Sequence, residues 1–132
     1  WVDLRVLDFL GRYKDEAEIV DDAICSIGQF DMAMEVDLMQ PLDKSRSPRV
    51  DKPALNHIGL WVDDLEVAVA WLSSKGVNFT PGGIREGASG YRVCFVHPKS
   101  SQTHPFGGEG VLIELVQAPK SVIESFNNLS QK

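Results

Sequence analysis

One short segment occurs twice in this 132-residue chain, and its repetition limits the folds that the chain can adopt. Residues 36–41 read VDLMQP, and residues 113–119 read IELVQAP. Each copy is an apolar strand that carries one carboxylate and ends at a glutamine and a proline. The two acids, Asp37 and Glu114, are separated by the same number of residues as the two glutamines. Self-similarity at a fixed period indicates a duplicated supersecondary unit. The two acids then hold equivalent places in two units, which suggests a site shared between them.

The second half of the chain is predicted to be a complete unit of the order β-α-β-β-β. Asp63 with Glu66 three positions on is typical of a capped helix start, and Gly76 is expected to end that helix as its C′ residue. Apolar patterning predicts four extended segments around this helix, at residues 55–62, 77–80, 91–97 and 111–117. The tail from residue 121 is predicted to be helical.

The first half shows only the later part of the same unit, with strands predicted at residues 18–28 and 32–40. Trp1 and Phe9 have the spacing of Trp71 and Phe79, which aligns the start of the chain with the end of a helix. We therefore expect the first module to lack its opening strand and most of its helix. The predicted organisation is a truncated first module, a connector, a complete second module and a tail, at residues 1–42, 43–53, 54–119 and 120–132.

Composition excludes several classes of protein. A formal net charge of −6 argues against non-specific binding of nucleic acid, which needs a cationic surface. No apolar run approaches the roughly 20 residues that cross a bilayer, so no membrane association is predicted. The two cysteines, Cys25 and Cys94, sit in apolar strands and are interpreted as reduced core residues. We expect an intracellular protein, in the cytoplasm or the mitochondrial matrix.

Three side chains are the candidates for chemistry. Strand alternation places His57 on the face opposite Ile58, Leu60 and Val62, and it sets Glu114 into an otherwise apolar strand. A carboxylate in such surroundings is costly unless it is paired or binds a metal. Together with Asp37, the imidazole and two acids suit a divalent ion such as Zn²⁺, Ni²⁺, Co²⁺ or Mn²⁺. A structural histidine and a solvated edge carboxylate are the alternative interpretation.

Three segments resemble a known family, the vicinal oxygen chelate superfamily, which includes glyoxalase I, methylmalonyl-CoA epimerase, ring-cleaving dioxygenases and bleomycin-resistance proteins. They are LNHIGLWVDDL at residues 55–65, YRVCFVHPK at 91–99 and GVLIEL at 110–115. The HPK followed by the last of these strands is most similar to methylmalonyl-CoA epimerases. The resemblance implies an α+β fold in which paired βαβββ modules form a cupped mixed sheet around a divalent metal ion.

The same resemblance implies roles for individual residues. His57 and Glu114 take the ligand positions of the second module, and Asp37 takes the acid or amide position of the first, where relatives usually have Glu or Gln. The first-strand ligand of relatives, His or Gln, is not in this chain, and a partner chain could supply it. Glu114 would also serve as one catalytic base. Glu18 is the first choice for the second base, and Glu16 is the next choice.

The function expected from the resemblance is a metal-dependent epimerase or isomerase that transfers a proton next to a carbonyl or thioester, as methylmalonyl-CoA epimerase does. A glyoxalase I-like isomerase and a metal-free binding protein of the bleomycin-resistance type are the alternatives. The expected substrate is an acyl-CoA or a glutathione thioester-like small molecule. A homodimer is predicted, because a truncated module would expose a sheet edge.

Overall fold

Strands predominate in this α+β chain, whose computed structural model describes residues 8–15, 20–27, 34–46, 50–52 and 54–129. The chain divides into two compact units, residues 1–54 and residues 55–132. Each unit holds one sheet, with three described strands in the first and four in the second. Neither helix of the described part has the length and apolar character needed to cross a bilayer.

The first unit is an antiparallel sheet in the order β1-β2-β3. Its strands are β1 (Asp8–Asp15), β2 (Val20–Ile27) and β3 (Met34–Pro41). The register between β2 and β3 is continuous from Val20 opposite Pro41 to Ile27 opposite Met34. Between β1 and β2 it shifts once, between Phe9 and Gly11. Continuous pairing fixes which side chains share a face, because successive residues of a strand point to opposite sides.

The second unit has the predicted βαβββ arrangement. Its elements are β4 (His57–Val62), α1 (Leu65–Ser74), β5 (Arg85–Glu86), β6 (Arg92–Val96), β7 (Leu112–Gln117) and α2 (Lys120–Leu129). The sheet order is β4-β7-β6-β5, with β4 parallel to β7 and the other neighbours antiparallel. The strand that opens the unit therefore lies beside the strand that ends it.

Helix α1 begins one residue later than the sequence pattern predicts. Its N-cap is Asp64, whose Oδ1 accepts a hydrogen bond from Val67 N at 3.0 Å. The Asp63 carboxylate instead accepts from Asp64 N at 3.0 Å, and Glu66 forms an ion pair with Arg92 instead of closing a capping box. The predicted end is confirmed, since Gly76 follows the helix with a φ of 87°, a conformation that favours glycine.

Gln117, the glutamine of the repeated segment, ties the start of α1 to the sheet. Its Oε1 accepts a hydrogen bond from Leu65 N at 2.9 Å, and its Nε2 donates to Asp63 O at 2.8 Å. The first amides of a helix lack partners within the helix. A side chain from β7 therefore accepts a hydrogen bond from an amide that has no partner within α1. That amide belongs to Leu65, the most buried residue of the helix.

The core of the second unit lies between α1 and the sheet. Leu65, Cys94 and Leu115 form its fully buried centre. Six partly buried residues pack around them, Val62, Val69, Leu72, Phe79, Ile84 and Ile113. Burial raises the pKa of the Cys94 thiol, so this cysteine packs as a small apolar side chain.

Two strand assignments differ from the sequence pattern. β1 was not predicted, because its residues show no clear alternation of apolar and polar side chains. The predicted extended piece at residues 77–80 makes only isolated bridges, Val77 with Phe106 and Phe79 with Val96. Asn78 N bonds to Phe106 O while Thr80 N bonds to Phe95 O, so the piece divides its hydrogen bonds between two segments. The strand that pairs with β6 on the side away from β7 is β5.

Candidate functional site

His57 and Glu114 lie on one face of the second sheet, next to each other across β4 and β7. The parallel register sets His57 opposite Leu112 and Gly59 opposite Glu114. His57, Gly59 and Glu114 therefore share the face turned away from α1, as strand alternation predicts. Placing the imidazole and the carboxylate on adjacent strands brings together two groups that are far apart in the sequence.

The reactive atoms of this pair are close to each other. His57 Nε2 lies 3.7 Å from Glu114 Oε2, and the two side chains are 29% and 20% exposed, so solvent or a ligand can still reach them. Asn56 Oδ1 lies 2.9 Å from the other ring nitrogen, Nδ1. An amide oxygen can only accept a hydrogen bond, so Nδ1 carries the hydrogen. In the neutral ring this leaves the lone pair on Nε2, the atom that faces Glu114.

The pair fits two positions of a divalent metal site. Zinc binds histidine nitrogen and carboxylate oxygen at about 2.0–2.2 Å, so two donors to one ion lie at most roughly 4.4 Å apart. The 3.7 Å between Nε2 and Oε2 meets that limit as it stands. Histidine ligands usually donate their second ring N–H to a nearby oxygen, as His57 does to Asn56. Within residues 55–129 of the second unit, no third His, Cys, Asp or Glu joins the pair.

Asp37 lies in the first unit, on the face of β3 that also carries Glu35. Partial desolvation raises the pKa of Glu35, and the nearby charge of Asp37 raises it further. The two acids therefore repel each other on one face of the sheet, as alternation along β3 predicts. That Asp37 binds the same ion as His57 and Glu114 stays a prediction.

Of the predicted catalytic groups, Glu18 and its alternative Glu16 lie outside the described residues. The structure adds a carboxylate that the sequence analysis did not select, Asp22 of β2. Asp22 is opposite Met39, and Ile24 is opposite Asp37, so Asp22 and Asp37 are diagonal neighbours on one face. One oxygen of Asp22, Oδ1, is buried.

Alternation could have singled out Asp22 from the sequence. The preceding acid, Asp21, points to the other face, where Arg12 Nε and Nη2 donate to its two oxygens, each at 2.6 Å. This hydrogen-bonded pair lowers the pKa of Asp21. Once β2 is recognised as a strand in register with β3, only the second of the two consecutive acids can share a face with Asp37.

Comparison with known proteins supports the family that the motifs suggested. The model of the glyoxalase/bleomycin resistance protein/dioxygenase superfamily matches residues 1–95. Among solved structures, a methylmalonyl-CoA epimerase from Mycobacterium tuberculosis is 29% identical, with a TM-score of 0.68 over 89% of this chain and 75% of that one. A comparison with curated protein sequences finds no significant match.

Two further structures agree with this fold. A selenomethionine form of a methylmalonyl-CoA epimerase is 27% identical, with a TM-score of 0.71 over 89% of this chain and 82% of that one. A hypothetical protein from Bacillus halodurans is 25% identical, with a TM-score of 0.71 over 89% of this chain and 80% of that one.

Proposed function

Because the chain belongs to the glyoxalase/bleomycin resistance protein/dioxygenase superfamily, we propose that it is a metal-dependent epimerase or isomerase that transfers a proton at the carbon next to a thioester carbonyl. The observation that carries this proposal is the His57–Glu114 pair, with its facing atoms 3.7 Å apart on one sheet face. The solved epimerases to which the chain is similar support an acyl-CoA such as methylmalonyl-CoA as the substrate.

In this proposal His57 Nε2 and Glu114 hold a divalent ion, with Asp37 as a further ligand from the first unit. When bound, such an ion polarises a carbonyl oxygen and stabilises the negative charge of an enolate. Asn56 keeps the hydrogen on Nδ1 and so keeps Nε2 available as a donor atom.

Glu114 is also the proposed base that takes the proton from the α-carbon. Epimerisation returns a proton to the opposite side of that carbon, which needs a second acid-base group. Glu18 is the group proposed from the sequence, and Asp22 is a second candidate because it shares a sheet face with Asp37. Both belong to the first unit, and comparing Glu18→Gln with Asp22→Asn in the epimerisation assay separates them.

The test is turnover of racemic methylmalonyl-CoA by the whole protein with added Co²⁺ or Zn²⁺. Glu114→Gln keeps the shape of the side chain but removes a base and an anionic ligand, and we expect turnover to fall at least about 100-fold. Glu124→Gln removes one carboxylate from the exposed surface of α2 and should leave turnover unchanged. Unimpaired exchange of the α-proton of both epimers with deuterated water in Glu114→Gln would contradict the role of Glu114, because the second base alone can act on only one epimer.

A metal-free binding protein is the second candidate, because residues 55–129 of the second unit supply only two ligating side chains, His57 and Glu114, to the proposed site. Elemental analysis of the purified protein separates the two functions. A metal content under about 0.2 per chain, together with no gain in turnover on adding divalent ions, would favour the binding protein.

A further inference from the structure

Arg85 lies on the same sheet face as the His57–Glu114 pair. Arg85 on β5 is opposite Val93 on β6, and two residues along β6 Phe95 is opposite Glu114. Residues with the same parity along paired strands share a face. The guanidinium of Arg85 and the carboxylate of Glu114 therefore reach toward the same side of the sheet, with β6 between them.

The ring of Phe95 separates Arg85 from the pair and contacts both. Arg85 Cζ lies 4.7 Å from the centroid of the Phe95 ring. The imidazole of His57 meets the same ring edge-on, with centroids 6.4 Å apart and planes at 75°. The ring of Phe95 thus has the imidazole of the pair near its edge and the guanidinium of Arg85 over its face.

The charge of Arg85 has no carboxylate within ion-pair distance among residues 54–129. By contrast, Arg92 on the next strand forms an ion pair with Glu66 on the opposite face. Arg85 is exposed, and its described contact is with the face of Phe95. An arginine whose guanidinium lies over an aromatic ring keeps N–H groups available to bind an anion in a two-point contact.

We propose that Arg85 binds a carboxylate on the acyl part of the substrate and so makes the site selective for thioesters of dicarboxylic acids. This inference rests on the proposed function, because it places the thioester oxygen at the His57–Glu114 end of the Phe95 ring. A short acyl chain that lies alongside Phe95 can present its carbonyl to the pair near the edge of the ring and its free carboxylate to the guanidinium over the face of the ring. Charge complementarity favours an anionic substituent next to Arg85.

Binding of malonyl-CoA and propionyl-CoA tests this inference separately from turnover. The two thioesters differ by one carboxylate and carry the same phosphate groups. Wild-type protein should bind malonyl-CoA more tightly by roughly 10- to 100-fold, as a charge-assisted two-point contact provides. Arg85→Gln should remove most of this preference while changing the affinity for propionyl-CoA by less than about threefold. Titration calorimetry with and without Zn²⁺ measures both.

Arg92→Gln is the matched control, since it removes an exposed arginine from the other face of the same sheet and should keep the preference. Arg85→Lys keeps the charge but not the two-point contact, and it should retain only part of the preference.

Three results would overturn the assignment. The first is a wild-type protein that does not favour malonyl-CoA. The second is a preference that Arg85→Gln leaves intact. The third is an equal loss of both ligands in Arg85→Gln, which would assign Arg85 to a phosphate of the coenzyme. Turnover of methylmalonyl-CoA by the wild type reports on the proposed function alone, so either hypothesis can fail without the other.

Discussion

Glu114 extends over the backbone of Gly59, its register partner on the adjacent parallel strand, and a Cβ at position 59 would lie 3.5 Å from Glu114 Oε2. That separation is an ordinary van der Waals contact, so alanine fits there, whereas the γ-methyl groups of valine would crowd the carboxylate. We expect Gly59→Ala to bind Co²⁺ with nearly wild-type affinity. Gly59→Val should push the carboxylate away from His57 and weaken Co²⁺ binding by about tenfold or more.

Cobalt absorbance in the visible range measures this affinity, and thermal unfolding of the metal-free proteins is the control. A β-branched residue suits a strand, so Gly59→Val should not lower the unfolding temperature greatly. Equal Co²⁺ affinity in the alanine and valine variants would mean that Glu114 does not bind the ion from its observed position.

Asn56 is a positioning residue for His57, because its Oδ1 accepts the Nδ1 hydrogen at 2.9 Å. We expect Asn56→Leu to weaken metal binding by roughly 10- to 100-fold, since the ring then loses the partner that fixes its orientation and tautomer. Asn56→Asp supplies another oxygen acceptor and should restore most of the affinity. The nitrogen-15 chemical shifts of the His57 ring report which nitrogen carries the hydrogen. An unchanged tautomer in Asn56→Leu would remove this role.

The elements of the second unit were largely predictable, because strand alternation and helix-end residues are patterns of neighbouring residues in the sequence. Strand alternation separated His57 and Gly59 from the apolar side chains that face α1, and Gly76 marked the end of the helix. The same alternation put Glu114 on its own face of β7. The proximity of His57 and Glu114 also depends on the parallel pairing of β4 with β7, and the sequence indicated it only through the ligand positions that the family resemblance implies.

Contacts that depend on side-chain direction could not be predicted in this way. The sequence grouped Gln117 with Glu114 as parts of one repeated segment, but Gln117 bonds to Leu65 N, 52 positions away, and stabilises a helix. The contact of Arg85 with Phe95 depends on β5 pairing with β6, and the pattern favoured residues 77–80 for that strand. A two-residue strand is too short to show an alternation.

Glu35 should make the stability of the protein depend on pH. Partial desolvation, followed by the charge of Asp37, raises its pKa in the folded state. A carboxyl whose pKa is raised by folding stabilises the folded state in its protonated form. This stabilisation is complete below the unfolded pKa of about 4.3, and it is lost as the pH rises through the pKa of the folded state. Ionised Glu35 therefore destabilises the folded protein at neutral pH.

We expect Glu35→Gln to raise the unfolding temperature of the metal-free protein at about pH 7 and to change it little at about pH 3.5. Glu124→Gln changes the net charge equally from an exposed position on α2 and controls for a general charge effect. The same increase at both pH values, or an equal increase in the control, would show that the raised pKa of Glu35 does not govern stability.

Gln117 should matter for stability and not for the chemistry of the site. Gln117→Leu keeps an apolar body on β7 but removes the acceptor of Leu65 N and the donor to Asp63 O. Leu65 is fully buried, so its amide has no easy access to water, and the loss should cost about 1–3 kcal/mol of unfolding free energy. Denaturant unfolding measures this cost, while Co²⁺ affinity should stay within about threefold of the wild type.

Gln117→Glu keeps the acceptor but not the donor and should cost less unfolding free energy than Gln117→Leu. A stable Gln117→Leu protein that no longer binds Co²⁺ would instead place Gln117 in the metal site, and the repeated glutamine of the two segments would then belong to the chemistry along with the repeated acid.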